Sequence, residues 1–101
     1  MRLTELETSI RHLRILLSEQ PSSDAAALGK ALSILRPFRT DPAATAMDRV
    51  HVDRVERDFT QWFGGAWRSL ASDRERARER VLEDIRALER PFRTRLRESA
   101  A

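Results

Sequence analysis

The stretch LTELETSIRHLRILL, residues 3–17, decides the fold class. Leu3, Leu6, Ile10, Leu13 and Leu17 recur at alternating spacings of three and four, which lines them up on one side of an α-helix as the seam of a helix pair. Leu16 widens the stripe. Thr4 followed by Glu7 has the pattern of a capping box, in which side chain and backbone satisfy each other at a helix start. The spacing predicts a first helix over 4–19, stopped by Pro21.

Working outward, three more periodic segments follow. Ser22, Ser23 and Asp24 offer caps for a helix over 24–36, with Leu28, Ala31, Leu32 and Leu35 on its apolar side. It is expected to end before Pro37, because the residue preceding a proline is disfavoured in helical geometry. Asp41-Pro42 reads as cap and first residue of a third helix over 42–63, with Met47, Val52, Val55, Phe59 and Trp62 as its buried stripe and Gly64-Gly65 as its interruption. Ser72 and Glu75 form another capping-box pattern opening a helix over 73–97, with Ala77, Val81, Ile85, Leu88, Phe92 and Leu96 facing inward. Pro91 is expected to kink or restart that helix. No strand is expected, and the fold class is a small all-α bundle of about four helices in one domain, 1–101.

Arg36-Pro37-Phe38-Arg39-Thr40 recurs as Arg90-Pro91-Phe92-Arg93-Thr94. At the same offset Arg14 matches Arg68, Leu16 matches Leu70, Ser18 matches Ser72 and Leu28 matches Leu82. Self-similarity at a fixed offset points to a duplicated unit. The expected units are two helical hairpins, 1–47 and 48–101, each burying its stripe against the other.

Composition narrows the functional classes. Of 101 residues, 35% are charged, yet 19 basic residues against 16 acidic ones leave a net charge of only +3. Lys30 is the only lysine, so the pI near 10.8 reflects arginine more than an excess of positive charge. The absence of cysteine excludes disulfides, thiolate nucleophiles and cysteine-based zinc sites. No apolar run approaches the ~20 residues that span a bilayer, and the first residues lack a signal-peptide core. A cytoplasmic location with no membrane association is expected. Gly-rich phosphate loops, nucleophile elbows and metal-ligand spacings are missing, so no enzyme activity, cofactor, metal or small-molecule substrate is expected.

Two surfaces stand out. Arg86, Arg90, Arg93 and Arg97 share one helical face, and residues 90–97 hold four arginines and no acid. Arg36 and Arg39 extend this candidate anion or nucleic-acid surface if the two Arg-Pro-Phe-Arg segments meet. The same arginines also suit helix ends, where they satisfy terminal carbonyls. The second surface is apolar: the seam Leu3, Leu6, Ile10, Leu13 and Leu17 with the aromatic cluster Trp62, Phe63 and Trp67, either core or protein interface. His12 falls on a polar side, and Asp48 three residues before His51 is the only acid–base pairing in view. The pattern as a whole predicts a non-catalytic helical binding or assembly protein, acting as a homodimer or as a small subunit of a larger complex. The alternative is a nucleic-acid-associated helical protein making sequence-independent Arg–phosphate contacts.

Overall fold

A computed structural model describes residues 1–18, 25–64 and 71–100. They form four α-helices: α1 Leu3–Ser18, α2 Ala25–Thr40, α3 Ala46–Gly64 and α4 Ala71–Ala100, with no strand among the described residues. Each helix packs on its sequence neighbours and α4 closes on α1, so the helices form a ring with α1/α3 and α2/α4 as its diagonals. This is the all-α bundle that the periodicity predicts. The chain measures 48 × 23 × 21 Å, and its length matches the 30 residues of α4 at ~1.5 Å each. No described helix is long and apolar enough to cross a membrane.

One continuous core fills the ring. Leu6, Ile10, Leu13 and Leu17 meet Ala31, Leu35 and Phe38, then Val52, Val55, Phe59 and Trp62, then Val81, Ile85, Leu88 and Phe92. Phe59 and Phe63 stack with ring centroids 6.0 Å apart. In the last turn of α2, Phe38 meets Phe92 of α4 edge to face, with centroids 5.2 Å apart and planes at 65°. The two copies of the repeated segment therefore meet across the α2/α4 diagonal, both rings fully buried. In each copy the threonine hydroxyl donates to the arginine carbonyl one turn earlier, Thr40 to Arg36 and Thr94 to Arg90.

The helix ends correct several expectations. Neither proline ends its helix: α2 runs through Pro37 to Thr40 and α4 through Pro91. A proline inside a helix costs about 3 kcal/mol through its missing N–H and its ring. Burying one Phe side chain recovers about 1.5–3 kcal/mol. Beyond Pro91 the helix also delivers Leu96 to the core and Arg95 to an ion pair, which together outweigh the cost. Past Pro37, the Asp41 N–H donates to the Pro37 carbonyl at 2.9 Å and closes the last turn.

The start of α3 is also displaced. Asp41 does not cap it; its carboxylate accepts the Ala43 N–H at 2.8 Å and pairs with the Met1 amino group, whose hydrogen bond is the main cause holding that carboxyl below its ordinary range. The cap lies four residues on. Thr45 Oγ1 accepts the Asp48 N–H at 3.2 Å, and Asp48 accepts the Thr45 N–H at 2.8 Å, a capping box with aspartate at its third position. Met47 consequently leaves the buried stripe and is 60% exposed. Leu32 of α2 is likewise exposed. At the first helix, the Leu6 N–H bonds to the Arg2 carbonyl, so the helix begins before Thr4, and Glu7 reaches Arg93 instead of closing a capping box. The expected caps at Ser22, Ser23 and Asp24, the Ser72 side chain, Gly65 and Trp67 lie outside the described residues.

Replacing Phe38 or Phe92 with alanine should cost about 3–5 kcal/mol each in chemical denaturation. Because the rings touch, the double variant should lose measurably less than the sum of the two. Strict additivity would show that the contact contributes nothing.

Candidate functional site

The arginines on which the sequence focuses attention divide into two groups. Arg39 donates to Asp53 at 2.6 Å and to Glu56 at 3.1 Å, tying α2 to α3. Arg93 donates to Glu89 at 2.7 Å and to Glu7 at 3.0 Å, tying α4 to α1. These hydrogen bonds, Asp53 first for Arg39 and Glu89 first for Arg93, raise both guanidinium pKa values. Arg36, Arg86, Arg90 and Arg97 are exposed and have no carboxylate partner among the described residues. Arg36 and Arg90 each stand two residues before a core phenylalanine, about 200° round the helix from it. Since those phenylalanines face each other, the two arginines point to opposite corners. The repeated segments meet, but they do not merge their basic surfaces.

The apolar candidates occupy the interior. Leu6, Ile10, Leu13, Leu17, Trp62 and Phe63 belong to the chain's own core, and Leu3 is half-buried against it. A partner could reach this seam only by displacing a helix. The exposed apolar residues are different ones: Ile15, Leu32, Met47 and Val50.

Asp48 and His51 do not form an acid–base pair. Asp48 is buried and committed to Thr45 and to Arg95, whose guanidinium lies 5.1 Å above the Phe92 ring. His51 Nδ1 is buried without a hydrogen bond. No cluster of three or more potential metal ligands occurs among the described residues.

Two features escape the sequence reading. The first is Asp58, 2% exposed between α3 and α4. No N–H or hydroxyl donates to either oxygen, and Arg57 Nε stays 3.7 Å away. Burial first, then a proton shared with the Asp84 carboxyl and that group's charge, push Asp58 up to about 7, against weaker pulls from Arg57 and Arg80. The second is an open groove of about 540 Å³ between α1 and α4. Its floor is Ile10 and its rim carries Ile15, with Arg11, Arg14, Arg78 and Arg93 facing Glu7 and Glu89. Arg14 reaches Glu89 at 3.4 Å; Arg11 and Arg78 have no partner among the described residues. Ile15 is the signal that could have been found. It is an apolar residue standing off the α1 seam, between arginines and the buried stripe.

No family model matches the chain, and no curated protein and no solved structure matches it either.

Arg93 and Arg86 should separate in stability assays. Arg93→Glu should lower stability by about 1 kcal/mol, because it breaks two interhelical pairs and sets like charges together. Arg86→Glu should shift it by less than about 0.5 kcal/mol.

Asp58 gives a pH signature. Between the ordinary carboxylate range and about 7 the folded chain keeps a proton that the unfolded chain releases, so this group's contribution to stability falls as pH rises through that window. Asp58→Asn should therefore gain on the parent chain as pH rises, reaching about 1–3 kcal/mol at pH 8, read from paired urea melts. A difference constant with pH would remove the shared proton from the account.

Proposed function

We propose that this chain is a non-catalytic helical binding protein that works as a small subunit of a larger assembly. The observation that carries this reading is the α1/α4 groove. Ile15 is 46% exposed there, in a groove where Arg11 and Arg78 have no partner among the described residues, while the α1 seam beside it is packed into the core. Exposed apolar surface rimmed by polar groups marks interaction sites. The ring of helices encloses a packed core, which leaves surface recognition as the mode that fits a bundle of this size. The cytoplasm is the proposed place of action. Assembly with another protein fits better than a homodimer through Leu3, Leu6, Ile10, Leu13 and Leu17, because that seam already serves the fold.

A second reading keeps support from Arg86, Arg90 and Arg97, three exposed arginines on one side of α4 without carboxylate partners among the described residues. They suit sequence-independent contact with a nucleic-acid backbone.

Size-exclusion chromatography with light scattering tests both. The purified chain should run near its 11.7 kDa mass, and the tagged chain in extract of its own cells should run much larger after nuclease treatment. Monomeric elution in both preparations would overturn the binding reading. A complex with generic duplex DNA that dissolves with rising salt and is lost in Arg86→Glu/Arg90→Glu would favour the second.

A further inference from the structure

We propose that the α1/α4 groove docks an acidic amphipathic helix of a partner protein. This rests on the reading of the chain as a binding subunit and names the chemistry of what it binds.

Three observations carry it. The first is shape. Along α1 the groove runs from Glu7 to Ser18, about 16 Å or three helical turns, and it lies between two packed helices. A third helix laid into such a groove presents anchors at i, i+4 and i+7 to its floor. The second is the apolar track. Ile10 is the buried apolar floor and Ile15 projects beside it, so an anchor side chain gains contact without any rearrangement of the core.

The third is charge complementarity. Four arginines and two glutamates line the groove. Arg93 is neutralised by Glu7 and Glu89, and Arg14 makes one long contact to Glu89. That leaves Arg11 and Arg78 without a partner among the described residues, on opposite walls, one on α1 and one on α4. Carboxylates on both flanks of an incoming helix would meet a guanidinium on each side, and paired guanidinium–carboxylate bonds are the stronger kind.

The same charges disfavour the other occupants. A second copy of this chain offers Met47 and Val50 beside Arg49 and Arg54, where the one nearby acid, Asp53, is already paired with Arg39, or Leu32 near Lys30 and Arg36, and so brings mostly arginine or lysine to arginine. A nucleic-acid backbone would place phosphates against Glu7 and Glu89 and leave Ile15 without an apolar contact.

The test uses the full chain and a fluorescein-labelled peptide of about 15 residues, long enough for the groove, with leucine at i, i+4 and i+7 and glutamate on both flanks. The comparison probes are a scrambled peptide of the same composition, a version with lysine for glutamate, and a short DNA duplex. The acidic helix should bind, the scramble should bind at least about tenfold more weakly, and the lysine version should not bind. Arg11→Glu/Arg14→Glu/Arg78→Glu should abolish binding, Ile15→Ala should weaken it by about tenfold, and Arg86→Glu/Arg90→Glu should leave it intact. Amide shifts on titration should map to residues 7–18 and 78–93, a readout independent of any variant. Equal affinity for the scramble, shifts mapping elsewhere, or preference for the duplex would each overturn the proposal. If no peptide binds while the chain still runs as a large assembly in extract, unchanged by the triple reversal, the groove proposal fails and the binding reading survives. If the chain is monomeric everywhere, both fail.

Discussion

The edge-on contact of Phe38 with Phe92 is the constraint on which the bundle depends. It joins α2 and α4, one of the two diagonal pairs that make no backbone contact, across the ring. To reach it, both helices must continue past a proline that would ordinarily stop them. Phe92 also holds the Arg95 guanidinium over its face, and Arg95 meets Asp48, which caps α3 through Thr45. One aromatic pair thus sets the length of α2 and α4 and, through a short polar relay, the first turn of α3.

Around that centre the arginines serve two purposes. Arg39, Arg93 and Arg95 join helices, each through carboxylates on another element. The pairs at Arg39 and Arg93 are partly exposed, where single ion pairs contribute about 0.2–1 kcal/mol, so they set register more than stability. Asp48 is different because it is fully buried. Loss of its partner would strand a charge in the core, a situation worth about 3–5 kcal/mol. The arginines without a carboxylate partner among the described residues tie no two helices together.

The helical class is legible in the sequence because α1 carries a regular seam and the chain is rich in helix formers. The boundaries are less so. Asp41-Pro42 reads as the start of the third helix, but the cap is made by Thr45 and Asp48, and Asp48 is held there by Arg95, which lies 47 residues away. Pro37 reads as a terminator and Pro91 as a kink or restart, because the phenylalanines that offset them act across the bundle. The arginine periodicity of α4 is visible in the sequence, yet whether a given arginine is free depends on distant carboxylates: Glu7 is 86 residues from Arg93. The groove falls between helices far apart in sequence, and only Ile15, out of register with its seam, marks its place.

Among the four described helices, α1 and α4 are the only packed pair that are not sequence neighbours. The other three interfaces join helices adjacent in sequence, whereas this one joins α1 to α4 across the whole span between them, the contact with the greatest closure entropy. The groove is therefore the suture of the ring. Its walls come together when α1 meets α4, and a ligand seated there would be held only by the closed form. Occupancy at this seam would act as a clasp on the whole topology, coupling recognition to the completion of folding.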